Sequence, residues 1–336
     1  MPVNKNIEPG GGGGPNSCYG RWGKTVADDA LPRGLLGPIV GTPGVLRQKF
    51  LYPPFSVLNT RDGDWQRRKK AWISLGIQSE VGRGEDMAYG VRMGAAPENG
   101  WKPDNDRTGT SIFDPVLCEL AYRWWAVPGG VVVDPFAGGS VRGIVAAALG
   151  LKYWGCDLSA VQVAANRNQR AAMQSMLPGK AKWVVGDSAA ELPAAPLADF
   201  LISCPPYGNL EIYSDDPRDV SSMGYDDFRA AYANIIGRAV SRLRDDRFAC
   251  FVVANFRDRD GGKMRNLVGD TISAFAAAGA DFYNDIVLVN AVGTGAMRMY
   301  GNFDRGARKV VKTHQNALVF VKGDPKKAAA RIVGGE

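Results

Sequence analysis

Four short segments each lie at the end of an apolar run. Each has a side chain able to bind a ligand, next to residues typical of turns. One is the turn DPFAGGS, which begins at Asp134; Asp157 and Asp187 end the next two runs, and Cys204 begins the sequence Cys-Pro-Pro-Tyr. A carboxylate accepts both hydroxyl hydrogens of a diol, so Asp157 suits a ribose, and Asp187 suits an adenine amino group. A glycine-rich turn lets a ligand approach the backbone closely. The pattern indicates a pocket for a cofactor that contains adenosine.

The order of the apolar runs predicts how these segments are brought together. Strand-like runs alternate with helix-like patterns from about residue 110, and the strands are continuously apolar, which is typical of a parallel sheet covered on both faces. The predicted fold is therefore α/β, a doubly wound, Rossmann-like sheet. The last two strands have no helix between them, which predicts an antiparallel strand at one end. The carboxyl ends of parallel strands meet at one edge of a sheet, where ligands bind. Predicted strands cover 131–136, 152–158, 182–188, 198–208, 248–256, 285–292 and 316–323, and predicted helices cover 64–77, 111–125, 141–150, 159–176, 226–243 and 264–280.

Composition excludes several classes of protein. The chain has 336 residues, of which 45% are hydrophobic, so a sizeable core is expected. Its five cysteines are scattered and it has one histidine, His314, so a disulfide framework, a zinc site and a Ser-His-Asp hydrolase are all poor fits, and no metal is expected. No apolar run is long enough for a membrane span, and the first residues lack the basic-then-apolar pattern of a secretory leader, so we expect a cytoplasmic protein.

Four regions are expected along the chain. Residues 1–30 read as a flexible glycine-rich tail, 31–109 as an irregular arm, 110–325 as the main domain and 326–336 as a basic tail. In the arm, the predicted helix 64–77 places Trp65, Trp72 and Ile73 on one face and basic residues on the rest.

Positive charge is concentrated near the end of the chain. The formal net charge is +7, and residues 296–331, with nine basic and two acidic residues, carry an excess as large as that of the whole chain. Such clustering is typical of a polyanion partner, although a solubilising surface is the alternative reading. The residues expected to contact phosphates are Arg67, Arg68, Lys69, Arg298, Arg305, Arg308, Lys309 and Lys312.

The glycine-rich turn favours one cofactor over others. It does not read G-x-G-x-x-G, and it begins with an acid, which would repel a pyrophosphate. The same acid, Asp134, can pair with the cationic amino group of S-adenosylmethionine. No phosphate-binding loop of the nucleotide triphosphatases is present. The alternative is that these are ordinary turns whose acids cap helices.

At this point the chain resembles a family. DPFAGGSVRGIVAA, SCPPYGNLEIYSDDPRD, FDPVLCELAYRWW and KTHQNALVFVKGDP are similar to segments of class I DNA amino-methyltransferases, in particular the DNA methylases of bacteriophages and mobile elements, over residues 50–325. The resemblance implies an S-adenosylmethionine-dependent enzyme, in the cytoplasm of a bacterial host, that methylates the exocyclic nitrogen of a flipped adenine, or of cytosine, and protects DNA from restriction. It implies that the cofactor is bound by Ser111, Phe113, Asp134, Pro135, Phe136, Ala137, Gly138, Gly139, Asp157, Leu158, Asp187 and Ser188.

The catalytic segment departs from the family pattern. The resemblance assigns catalysis to Ser203, Cys204, Pro205, Pro206 and Tyr207, with Tyr207 stacked on the target base. The family has Asp, Asn or Ser where this chain has Cys204, and a thiol is a weak acceptor for the amino hydrogens of the base. Either Ser203 replaces it, the Pro205 carbonyl does more of the work, or the chemistry differs; a nucleophilic Cys204 is a further reading. Two other functions therefore stay open: an RNA amino-methyltransferase and a DNA-binding module without activity.

Overall fold

One large sheet organises the part of the chain that the structure describes, which is residues 45–78, 113–210, 212–258, 262–290, 303–304 and 306–333 of a computed structural model. The strands are β1 (Val57–Asn59), β2 (Val131–Asp134), β3 (Lys152–Asp157), β4 (Lys180–Val185), β5 (Ala198–Ser203), β6 (Leu243–Val253), β7 (Phe256–Arg257), β8 (Met264–Arg265), β9 (Asp281–Val289) and β10 (His314–Lys322). The helices are α1 (Val45–Phe50), α2 (Gly63–Ser74), α3 (Pro115–Trp125), α4 (Val141–Ala148), α5 (Ala160–Ala172), α6 (Ser188–Glu191), α7 (Tyr225–Arg242), α8 (Leu267–Ala277) and α9 (Pro325–Val333).

The sheet has eight strands in the order β1-β9-β10-β6-β5-β2-β3-β4, and β7 pairs with β8 in a separate hairpin. Every neighbouring pair in the large sheet is parallel except those of β10, which runs antiparallel to both β6 and β9. The doubly wound, Rossmann-like, mostly parallel sheet predicted from the sequence is confirmed. The antiparallel strand, β10, lies between β9 and β6 and not at the edge of the sheet. Its residues 317–321 are apolar and all buried, which suits an inner strand, whereas β9 buries only alternate residues near its end.

Helices cover both faces of the sheet. Alternate residues of β5 show this, since Phe200 and Ile202 belong to one buried cluster and Leu201 belongs to the other. The first cluster is completed by residues of α3, α4 and α5, and the second by residues of α7 and α8. The pleat of a strand directs successive side chains to opposite faces, so the continuously apolar runs match a sheet that is covered twice.

Residues 45–78 belong to the same body as the large sheet. Strand β1 pairs in parallel with β9 and forms one edge of the sheet. Trp65 and Trp72 of α2 are fully buried, but Ile73 is 50% exposed. The sequence placed all three on one face; Trp65 and Trp72 are seven residues apart and share a face, whereas Ile73 is turned by about 100° from Trp72.

A buried carboxylate fixes α2 to α3. Glu119 is fully buried and accepts hydrogen bonds from Arg68 Nε at 2.6 Å, Trp72 Nε1 at 2.8 Å and Arg123 Nε at 2.9 Å. Burial opposes ionisation of Glu119, but the hydrogen bond and charge of Arg68, with Arg123, lower its pKa below the ordinary value. The ion pair therefore has a structural role, because an unpaired charge in this position would be costly.

None of the helices in the described ranges has both the length and the apolar character needed to cross a bilayer.

Candidate active site

A cavity of about 590 Å³ opens at the carboxyl ends of β2, β3, β4 and β5. Its wall contains the glycine-rich turn at one end and the Cys-Pro-Pro-Tyr segment at the other. The expectation that these segments meet at one edge of the sheet therefore agrees with the geometry. The expected site residues that line the cavity are Phe113, Pro135, Phe136, Gly138, Gly139, Asp157, Leu158, Asp187, Ser188, Cys204, Pro205, Pro206 and Tyr207.

The glycine-rich turn is held against β3. Gly138 has a φ of +48°, in the left-handed region that favours glycine. Its N–H donates to Asp157 Oδ2 at 2.8 Å, and its carbonyl accepts from Asn166 Nδ2 at 2.7 Å. Ala137 is fully buried and its N–H donates to the carbonyl of Cys156 at 2.9 Å. Ala137 thus anchors the turn to β3, while Gly138 and Gly139 line the cavity.

Asp157 keeps acceptor capacity for a ligand. Its Oδ2 accepts from Gly138, and its Oδ1 accepts from the N–H of Ser159 at 2.9 Å. A carboxylate oxygen accepts about two hydrogen bonds, so each oxygen retains a site for a hydroxyl. Burial raises the pKa of Asp157 above its ordinary value, and the two backbone N–H groups oppose this effect. This arrangement suits a diol that donates twice.

Asp187 and Ser188 follow β4 and line the cavity. Asp187 caps α6 by accepting from the N–H of Ala189 at 2.9 Å. Ser188 donates from Oγ to the carbonyl of Pro135, which joins the ends of β4 and β2. Helix capping accounts for one oxygen of Asp187, and its position in the wall allows the other to accept from a ligand.

Asp134 does not face the cavity. It is fully buried, and its oxygens accept from the N–H of Phe136 at 3.1 Å, Ser203 Oγ at 2.6 Å, Arg142 Nε at 2.6 Å and Tyr153 Oη at 2.7 Å. Four donors occupy its acceptor sites. The structure thus differs from the expectation that Asp134 pairs with the amino group of the cofactor, because its charge is already balanced by Arg142.

Arg142 is a cavity residue that the sequence analysis did not select. Its side chain is 5% exposed and reaches the wall of the cavity from α4. Burial opposes its charge, but Asp134 beside it raises the pKa of Arg142 above the ordinary value, so the guanidinium stays charged. A local pattern could not show this role, because the contact depends on how the turn folds back over the start of α4.

Ser203 is also committed inside the protein. It is fully buried, donates to Asp134, and accepts from the N–H of Phe136 at 3.2 Å. It does not line the cavity, so the structure does not offer Ser203 as a replacement for the missing acceptor of the family motif. Cys204, the next residue, is half-buried and does line the cavity.

Tyr207 is fixed by two neighbours. Its ring stacks on Phe256, with centroids 6.4 Å apart and planes at 17°, and its hydroxyl accepts from Gln315 Nε2 at 3.0 Å. Burial raises the pKa of Tyr207 well above its ordinary value, and the adjacent Cys204 raises it further. Gly208, at a φ of +51°, lies so close to Phe256 that an added Cβ would be 2.7 Å from Cζ. The ring position is therefore set by β10 and by the segment after β6.

The segment that follows Tyr207 forms the remaining wall. Asp219 is buried, accepts from the N–H of Ser221 at 2.9 Å and accepts from Ser214 Oγ at 2.9 Å, so this loop is internally bonded. Arg218 and Asp216 pair at its surface, with Nη2 and Oδ2 2.6 Å apart. Glu211, four residues after Tyr207, lies outside the described residues.

The basic residues of α2 are mostly engaged within the protein. Arg68, expected to contact phosphate, is instead bonded to the buried Glu119, and its side chain is only 15% exposed. Lys69 Nζ lies 3.4 Å from Asp114 Oδ2. Arg67 pairs with Asp64, but its side chain is 62% exposed and it remains accessible. The sequence could not separate these residues, because the acidic partners of Arg68 and Lys69 are distant in the chain.

The basic residues before β10 lie close to the cavity side of the sheet. Arg308 and Lys312 are exposed, and Lys309 lies beside Gly262, where an added Cβ would be 2.7 Å from its Nζ. Gly262 belongs to the turn between β7 and β8, which follows β6. Three expected site residues, Ser111, Arg298 and Arg305, lie outside the described residues.

No protein-family model matches the chain, and no curated protein matches it. Similar solved structures include TrmN from Thermus thermophilus, with 15% sequence identity and a TM-score of 0.41 over 62% of this chain and 49% of TrmN, so the chain spans about half of that protein. A TehB-like SAM-dependent methyltransferase from Corynebacterium glutamicum has 17% identity and a TM-score of 0.38 over 64% of this chain and 90% of that one. Magnesium protoporphyrin IX methyltransferase from Synechocystis, solved with bound SAM, has 11% identity and a TM-score of 0.38 over 62% and 76%.

Proposed function

We propose that this protein is an S-adenosylmethionine-dependent methyltransferase that acts on the exocyclic amino group of a flipped DNA base, adenine ahead of cytosine. The observation that carries the proposal is the single cavity that joins the glycine-rich turn and Asp157 to Cys204 and Tyr207. A methyl donor and a target base need to meet in one water-poor space, and this cavity provides a separate wall for each.

The residues of the first wall fit the proposed cofactor. Asp157 would hold the ribose hydroxyls through the acceptor sites that Gly138 and Ser159 leave available. Asp187 would accept from the adenine amino group, and the exposed backbone of Gly138 and Gly139 would allow close approach. When bound, S-adenosylmethionine would supply an electrophilic methyl group: an N–C bond to the amino nitrogen would form as the S–CH3 bond breaks, leaving S-adenosylhomocysteine, and the amino group would lose a proton to solvent water.

The residues of the second wall would hold the base. Tyr207 presents an aromatic ring whose position is fixed by Phe256 and Gln315, so an extruded base would stack on a prepared surface. Because Ser203 is committed to Asp134 and a thiol accepts weakly, the carbonyl of Pro205 is the acceptor that would orient the amino group. The two prolines restrict the backbone and so keep that carbonyl in place.

A positively charged surface beside the cavity supports a nucleic-acid substrate. The β7–β8 hairpin carries Arg257 and Lys263, and its turn touches Lys309. The hairpin begins at Phe256, which stacks on Tyr207. The cations therefore lie on the same side of the sheet as the proposed base site. Contacts from such residues to phosphates would position a duplex without selecting its sequence.

Mass spectrometry of nucleosides tests the proposal directly. The purified protein is incubated with S-adenosylmethionine that carries a deuterated methyl group, together with duplex DNA or an RNA of the same sequence. We expect the label on the amino nitrogen of adenine or cytosine in DNA. Labelled RNA with unlabelled DNA would assign the enzyme to RNA instead. Cofactor binding without any label, in wild-type protein and in a Cys204→Asn variant that restores an amide acceptor, would favour a DNA-binding module without activity.

A further inference from the structure

The guanidinium of Arg142 is held in place by more contacts than its ion pair with Asp134. Its Nε donates to Asp134 at 2.6 Å, and its Nη2 donates to the carbonyls of Phe136 at 2.5 Å and Ala137 at 3.0 Å. These bonds occupy one edge of the guanidinium and fix it beneath the glycine-rich turn. A guanidinium has five N–H donors, so the two on Nη1 are left over.

Nη1 is the part of the Arg142 guanidinium that these hydrogen bonds leave available, and Arg142 lines the cavity. Among the hydrogen bonds of the described residues, none is made by Nη1 of Arg142. The guanidinium carbon lies 4.7 Å from the centroid of the Phe113 ring, and both residues line the cavity. A cation stacked on an aromatic ring keeps its in-plane N–H groups available for a planar acceptor.

The location of Arg142 indicates which part of a ligand it would meet. It approaches the cavity between the turn that faces Asp157 and the segment that begins at Cys204, whose thiol is near enough to interact with its charge. The other cation of the wall, Arg218, lies on the opposite loop and pairs with Asp216. An anionic group that sits between a ribose and a target base would therefore meet Arg142.

We propose that Arg142 binds the carboxylate of the methionyl part of the cofactor, with Asp134 and the carbonyls of the turn holding the guanidinium in place. This inference rests on the proposed function and adds a specific subsite to it. It replaces the expectation that Asp134 contacts the cofactor directly: the acid acts through Arg142 as a positioning residue.

Binding of two ligands by wild-type protein is the first test. Isothermal titration calorimetry compares S-adenosylhomocysteine with S-adenosyl-3-thiopropylamine, which lacks only the carboxylate. A charge-assisted hydrogen bond corresponds to about a 10- to 100-fold difference in affinity, and we expect the intact ligand to bind that much more tightly. Equal affinities would overturn the inference while leaving the proposed function intact. If neither ligand binds, the proposed function fails, and the inference fails with it.

A paired variant is the second test. Changing Arg142 alone would leave Asp134 as an unpaired buried charge, so the double variant Asp134→Asn with Arg142→Gln removes both charges together. We expect it to bind both ligands with nearly equal affinity, close to that of wild-type protein for the ligand without the carboxylate. The single variant Asp134→Asn, which keeps the cation, should retain a preference for the carboxylate. A double variant with the full wild-type preference would contradict the inference.

Discussion

The substitution Asp157→Asn tests the ribose assignment with little change in side-chain size. Each oxygen of Asp157 accepts one backbone N–H, from Gly138 at 2.8 Å and from Ser159 at 2.9 Å. An asparagine has only one oxygen, so its amide nitrogen must face one of these two N–H groups, donor against donor. The variant therefore loses the negative charge and also displaces either the glycine-rich turn or the start of α5.

The size of the effect follows from these contacts. A hydrogen bond to a charged group contributes about 1.5–3 kcal/mol, which corresponds to an affinity for S-adenosylhomocysteine weaker by about 10- to 100-fold. A buried N–H left without an acceptor costs about 1–3 kcal/mol, so the free energy of unfolding of the unliganded variant should also fall. The decrease should lie at the lower end of this range, because the loop can relax.

Calorimetry with S-adenosylhomocysteine and denaturant unfolding measure the two quantities separately. The matched control is Asp226→Asn, because the Asp226 side chain is 96% exposed and lies on α7 away from the cavity. The control should bind and unfold like wild-type protein. If Asp157→Asn binds S-adenosylhomocysteine within about threefold of wild type, which is less than one charge-assisted hydrogen bond, the ribose assignment is refuted.

The same carboxylate predicts a pH dependence. Since burial raises the pKa of Asp157, it takes up a proton at a higher pH than an ordinary aspartate. Ligand affinity should therefore fall as the pH drops through this raised pKa, and Asp157→Asn should lack that dependence. Stability without ligand changes in the opposite sense: the contribution of Asp157 is present below the unfolded pKa and is lost as the pH rises through the raised folded pKa. Binding and unfolding measured across this window test both signs.

Three further predictions concern the base site, the junction of α2 with α3, and the charged surface. Tyr207→Ala should slow methyl transfer about 10- to 100-fold, since stacking contributes about 1–3 kcal/mol per base, while S-adenosylhomocysteine binding is retained; Tyr207→Phe should keep most activity, and equal rates for both variants would contradict the stacking role. Glu119→Gln should lower the free energy of unfolding by about 3 kcal/mol in denaturant titrations, because it leaves Arg68 and Arg123 without a buried counter-charge; a loss below about 1 kcal/mol would show that the pair is not needed. Lys309→Ala should reduce the slope of log affinity for DNA against log salt by about 1, whereas Lys180→Ala, exposed at the amino end of β4, should leave it unchanged.

Local patterns predicted the parts of the fold whose cause is local. Strands β2, β3 and β5 were expected from their apolar runs, and the structure has a strand in each of these places. Strand β1 was not predicted, because three residues give no periodicity. It is a strand because β9 supplies a parallel partner that lies some 230 positions along the chain.

The site shows the same division between local and distant causes. The strand-end residues Asp157, Asp187 and Tyr207 could be selected because chain order alone places them at one edge of the sheet. The partners of Asp134 could not, because Tyr153 and Ser203 reach it from neighbouring strands and each hydroxyl looks ordinary in the sequence. Charge in a sequence also does not show whether a cation is free to meet phosphate, and the pairing of Arg68 with Glu119 spans 51 positions.

The insertion of β10 between β6 and β9 has a consequence for biosynthesis. Until residues 314–322 have left the ribosome, β9 has no strand joining it to the rest of the sheet, and β1, which depends on β9, waits as well. Strands β1, β9 and β10 therefore join the rest of the sheet together, after β10 has been made. Such long-range pairing is slow, and the apolar edges of β6 and β9 stay uncovered during that delay. A nascent chain of this protein should need chaperone protection of the edges of β6 and β9 until β10 has emerged.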